Sequence, residues 1–129
     1  MKQLLYILFA VTLFVSCSSD DDETSQEYTS FVVANNSDID LPNCVIGYKS
    51  NDKWIRVASL GDLKQGATSP EIKLPQYINQ DFYVFTDYIS SRRIDIVFKL
   101  KENKKNTLSI PVGNNATTVN KDDPSQYPN

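Results

Sequence analysis

Between residues 28 and 112, short runs with apolar side chains at alternate positions recur, and no stretch carries the 3.6-residue period of an amphipathic helix. The plainest case is residues 93–101. Ile94, Ile96, Phe98 and Leu100 fall on one side there, and Arg93, Asp95, Lys99 and Lys101 on the other, interrupted only by Val97. A strand with that pattern keeps one face in a core and the other in water. Similar runs occupy residues 28–34, 44–49, 53–60, 71–74 and 107–112, the last with Leu108, Ile110 and Val112 inward. Residues 81–88 set Phe82, Val84 and Thr86 against Tyr83, Phe85 and Asp87. Ser50-Asn51-Asp52 is a polar turn of hairpin length. In residues 60–69, Gly61 and Gly66 suit positive-φ turns, as expected of a crossover between sheets.

Short alternating runs separated by polar turns predict an all-β fold, an antiparallel β-sandwich of about seven strands over residues 28–112. The expected architecture is immunoglobulin-like, with Greek-key connections. The Cys…Trp…Cys spacing of a true immunoglobulin domain is missing, so the likeness is one of architecture. Residues 113–129 are rich in Asn, Thr, Asp and Pro and read as a flexible C-terminal tail, or at most an edge-covering extension.

A chain of 129 residues has room for one such domain. It contains no histidine, which removes Ser-His-Asp and Cys-His nucleophiles and imidazole-bound metal. Carboxylates are then the remaining acid–base groups, and most of them stand beside turn residues, where Asp caps backbone by default. The expectation is therefore no enzyme, no cofactor and no metal site, with a carboxylate-based hydrolase as the one catalytic class left open.

The first sixteen residues have the form of an address. Lys2 precedes an unbroken apolar run from Leu4 to Val15, too short for the roughly 20 residues of a membrane-spanning helix. The run ends Val15-Ser16-Cys17. This segment resembles the lipobox cut by signal peptidase II in bacterial lipoproteins, in the relaxed form common in Bacteroidetes. Phe14 stands where Leu is usual, and Leu13 lies one step back. The resemblance implies a leader at residues 1–16 and lipid attachment at Cys17. Next come Ser18, Ser19, Asp20, Asp21, Asp22 and Glu23, a run similar to the acidic export tag of Bacteroidetes surface lipoproteins. It also suits a solvated spacer, since like charges keep a chain extended. Residues 17–27 are thus read as a lipidated acidic tether, and the implied location is the outer membrane, facing outward.

Charge divides accordingly. The formal net charge of −3 comprises −5 on residues 17–27, +2 on residues 28–112, −1 on the tail and +1 on the leader. Once Cys17 carries lipid, Cys44 lacks a partner, and its apolar surroundings predict core packing. Ten aromatic residues between 28 and 98 exceed what a small sandwich needs inside. Trp54, Tyr83 and Phe85, with Arg92 and Arg93, form the candidate binding surface. Nothing couples the basic residues to a nucleic-acid motif. The functional expectation is a surface-anchored, non-catalytic module that binds a glycan or protein partner. The alternative is a small anchored inhibitor or immunity-type protein that blocks a toxin or enzyme.

Overall fold

A computed structural model describes residues 26–129, and among them there is no helix. Eight strands follow in chain order: β1 (Thr29–Asn35), β2 (Leu41–Ser50), β3 (Lys53–Leu63), β4 (Ile72–Leu74), β5 (Phe82–Thr86), β6 (Arg92–Ile94), β7 (Lys105–Ile110) and β8 (Ala116–Thr118). They form a three-stranded sheet, β4-β1-β7, and a five-stranded sheet, β3-β2-β5-β6-β8. The inward rows of both sheets share one core. Phe31, Val33, Leu74, Leu108 and Ile110 come from the smaller sheet, and Cys44, Ile46, Leu60, Phe82, Val84 and Ile94 from the larger. This is the layered arrangement that the alternation predicts.

The β2–β3 hairpin turns through Asn51 and Asp52, with φ of 52° and 64°, between paired Ser50 and Lys53. Two successive left-handed residues make the type I′ geometry whose twist matches that of the flanking strands. Gly61 and Gly66 also take positive φ, 73° and 78°. From β3 to β4 the chain crosses from the larger sheet to the smaller one.

At one end of the sandwich, buried Asn35 joins β1 to the hairpin strands. Its Nδ2 donates to the carbonyls of Ile39 at 2.9 Å and Leu63 at 2.8 Å, and its Oδ1 accepts the Ser37 amide at 3.1 Å. Every polar atom of this buried amide is used, as burial requires. Since Leu63 pairs with Leu41, this end holds the finish of β1, the start of β2 and the finish of β3. The opposite end holds the start of β1, the Ser50–Lys53 turn and the start of β5, where Phe82 pairs with Tyr48. Gln26 is fixed at that same end, its amide donating to the Asn103 carbonyl at 2.8 Å.

Four expectations need correction. First, the ladders are antiparallel except one: β1 and β7 run parallel, from Ser30 opposite Lys105 to Asn35 opposite Ile110. Far apart in sequence and joined by no hairpin, they are free to align in one direction. Second, residues 93–101 are not one strand. Arg93 pairs with Phe85 and Phe98 bridges to Phe82, so residues 94–97 oppose only residues 83–84. The surplus bulges outward, with the Asp95 amide bonded to Asn115 O at 2.9 Å and Val97 47% exposed. Ile94, Phe98 and Leu100 are still buried. Third, Val112 is 63% exposed, because β7 ends at Ile110 and Pro111 has no N–H to continue the ladder.

Fourth, the expected flexible tail is built into the fold. β8 pairs with β6, and the remaining residues strap the outer face of the larger sheet. Tyr127 is fully buried, its ring 5.4 Å from that of Phe85. The Trp54 amide donates to Pro124 O at 2.8 Å, and Arg56 Nε to Pro128 O at 3.2 Å. Lys121 Nζ meets Asp87 at 2.8 Å. Polar composition concealed this, because one aromatic ring provides the strap's apolar grip.

The Tyr127 hydroxyl has no hydrogen-bond partner among the described residues, and burial raises its pKa above the ordinary tyrosine value. Tyr127→Ala is therefore expected to cost about 3–5 kcal/mol in urea unfolding, whereas Tyr127→Phe should match or exceed the parent. Equal loss from both would mean that the hydroxyl, not the ring, holds the strap. At Asp87, partial burial raises the pKa, but hydrogen bonds from Lys121, Asn43 and Ser91 outweigh it and hold the carboxyl below its usual value. The contribution is complete above the ordinary aspartate pKa and fades as pH falls through the lowered one. Acid below about pH 4 should loosen the strap to carboxypeptidase, and Asp87→Asn should remove that pH dependence.

Candidate functional site

On the outer face of the larger sheet, three strands bring separate sequence segments together. Lys49 on β2 pairs with Trp54 on β3, and Gly47 on β2 pairs with Tyr83 on β5. Trp54 and Tyr83 thus flank β2 from either side. Gly47 places no side chain between them, and their rings meet edge-to-face, centroids 5.4 Å apart at 88°. A Cβ at Gly47 would stand 2.5 Å from the Ile55 carbonyl oxygen and 3.0 Å from Pro128 Cβ. The glycine is needed for close approach: its φ lies outside the left-handed range taken by Gly61, Gly66 and Gly113.

Beside this ring pair lies an open cleft of about 570 Å³. Its cations are Lys49, Arg93 and Lys99, its amides Asn79 and Gln80, and its one carboxylate Asp81. Each cation is oriented by a neighbour. Lys49 Nζ lies 5.9 Å from the centre of the Trp54 ring, and the Arg93 guanidinium 5.7 Å from that of Tyr83. Arg93 Nε also bonds Asp95 at 3.1 Å, and Lys99 Nζ bonds Asp81 at 2.8 Å. The Asp81 carboxylate raises the Lys99 pKa above the ordinary lysine value. Such exposed pairs add little stability, but they set where charge is presented.

The candidate surface residues divide. Trp54, Tyr83 and Arg93 line this cleft together. Phe85 does not: it is fully buried, 4.9 Å from the Trp54 ring and beneath Tyr127. Arg92 is half-buried in the ladder between β5 and β8, its Nε bonded to Tyr88 O at 3.0 Å. Trp54 is only 7% exposed, so it walls the cleft and offers no broad ring face. The surplus of aromatics predicted an exposed platform, but the strap consumes it. Lys49, Asn79 and Gln80 were not singled out from sequence. The outward parity of Lys49 beside Trp54 was the available signal, while the two amides sit in a loop with no pattern. Cys17 and Ser18 to Glu23 lie outside the described residues.

Other reactive groups are engaged elsewhere. Cys44 is buried, bonded to Leu41 O at 3.3 Å, and burial pushes its thiol up to about 11. It is a protonated core residue at neutral pH. Asp62 accepts the Asn43 amide at 2.8 Å and Asp40 the Gln65 amide at 3.0 Å, which is backbone capping. Among the described residues, no three His, Cys, Asp or Glu side chains group to hold a metal.

The chain matches no protein-family model, no curated protein and no solved structure.

Gly47→Ala tests the close approach at the centre of the site. It should cost about 1–3 kcal/mol by overpacking, expose the strap to carboxypeptidase and shift Trp54 fluorescence to longer wavelength. A variant with unchanged stability and emission would show that the sheet accommodates the methyl group without moving Pro128.

Proposed function

We propose that this chain is a lipid-anchored outer-membrane protein, displayed outward, whose cleft binds a glycan or protein partner without transforming it. The observation that carries the reading is the placement of charge in the cleft. Lys49, Arg93 and Lys99 are each held by a ring or a carboxylate at the rim of an open hollow, between two exposed amides and a tyrosine. Pre-set donors of this kind lower the ordering cost of binding. The one carboxylate there, Asp81, is already bonded to Lys99. Catalysis by a carboxylate pair would need a second acid facing it.

The anchor reading rests on the apolar run ending at Ser16-Cys17 and on the acidic residues that follow. The sandwich itself we read as immunoglobulin-like with Greek-key connections, since β3 and β4 are consecutive yet lie in different sheets.

Two experiments test the proposal. Cys17→Ser should abolish fatty-acid labelling and leave the leader of residues 1–16 uncleaved, and protease added to intact cells should remove the parent protein. Survival of the parent until the outer membrane is broken would sink the outward orientation. Full-length protein on a glycan and surface-protein array should gain signals that Arg93→Ala with Lys99→Ala reduces about five- to thirtyfold, each charged contact contributing ~0.5–1 kcal/mol. Signals indifferent to that change, or release of cleaved product, would overturn binding at this cleft.

A further inference from the structure

We infer that the ligand of this cleft is an extended acidic saccharide, one bearing carboxylate or sulfate groups along its length. The inference rests on the binding reading above and specifies what is bound. A second hollow, about 250 Å³, adjoins the first through Lys99, which lines both. It is walled by Lys101, Lys104, Lys105, Asn106 and Thr107. The two hollows together present six cations, Lys49, Arg93, Lys99, Lys101, Lys104 and Lys105, against Asp81 as the only lining carboxylate. Residues 99–105 alone hold four lysines and one glutamate, Glu102. Lys101 and Lys105 enter none of the ion pairs formed among the described residues.

Geometry favours a chain over a point ligand. The first hollow is too open to enclose a small anion, and its cations are spread along a path that continues into the second. A row of fixed cations attracts a polyanion through many weak contacts, each modest alone and additive along the chain. Chemistry favours a saccharide over a nucleic acid. Single-stranded nucleic acid needs ring faces on which bases stack. Here Trp54 is buried, one side of Tyr83 faces Trp54, and Arg93 lies over its ring. Asn79, Gln80 and Asn106 instead supply amide groups suited to hydroxyls and ring oxygens.

Full-length protein in detergent micelles is titrated by calorimetry with long polygalacturonate, galacturonic acid monomer, neutral dextran and oligo(dT). Polygalacturonate should bind, at least about a hundredfold more tightly than the monomer, and more weakly as salt is raised. Lys101→Ala with Lys105→Ala should weaken it about five- to tenfold, and Lys→Arg at both positions should restore it. Lys101 is exposed and Lys105 half-buried, and unchanged Trp54 emission will confirm folding. Equal binding of oligo(dT), equal binding of the monomer, or indifference to the double variant overturns the inference. Dextran binding that Arg93→Ala abolishes also overturns it, while leaving the binding module intact. Silence with every saccharide overturns both for glycans.

Discussion

A missing side chain organises the outer face of this protein. Gly47 sits on β2, the second strand of the five-stranded sheet, paired with Arg56 on one side and Tyr83 on the other. Without a Cβ there, Trp54 and Tyr83 reach one another across β2, and Pro128 rests on the sheet. A strand glycine ordinarily weakens a sheet, since it packs nothing and loses more backbone entropy. Here the vacant space is filled by the end of the chain. The larger sheet is consequently buried on both faces over part of its area, with its main core inside and Val45, Trp54, Phe85 and Tyr127 outside.

That second cluster changes what aromatic content means. Trp54, Phe85 and Tyr127 form a chain of edge-to-face contacts, at 4.9 and 5.4 Å, an arrangement worth about 0.5–1.5 kcal/mol per pair beyond simple burial. Rings that might have met a ligand are spent on holding the strap. What remains at the cleft is charge and amide, with Lys49 and Arg93 set by ring contacts and Lys99 by Asp81. Trp54 thus serves twice, packing against Phe85 in the outer cluster and lying under the Lys49 ammonium at the cleft.

Much of this was legible in the alternation of residues 28–112, because the parity of a side chain decides its face whatever the ladder does. Leu108 and Ile110 point inward as read, and Asn51-Asp52 turns the hairpin. Parity does not count hydrogen bonds, so the surplus residues at 94–97 were invisible although Ile94 and Phe98 were placed correctly. In β5 both faces are apolar, Phe82 and Val84 on one side and Phe85 on the other. That doubling was the sign that something covers the outside. The cover was unreadable, since Tyr127 lies more than forty residues beyond Phe85, in a segment of otherwise polar composition. The cleft escaped for a related reason: its lining comes from four segments that only the strand order β3-β2-β5-β6 brings together.

The start of β1, the Ser50–Lys53 turn and the cleft all lie at one end of the sandwich, where Gln26 bonds to Asn103. On the lipid-anchor proposal, eight residues lie between Cys17 and Gln26, and the nine Cα steps reach at most ~30 Å. The binding end would then face the bilayer from which the domain hangs, with the Asn35 end turned outward. A ligand would arrive sideways, through a gap that the leash holds to at most ~30 Å. Thin linear molecules pass such a gap more readily than globular ones, so the leash would act as a size filter before any contact is made.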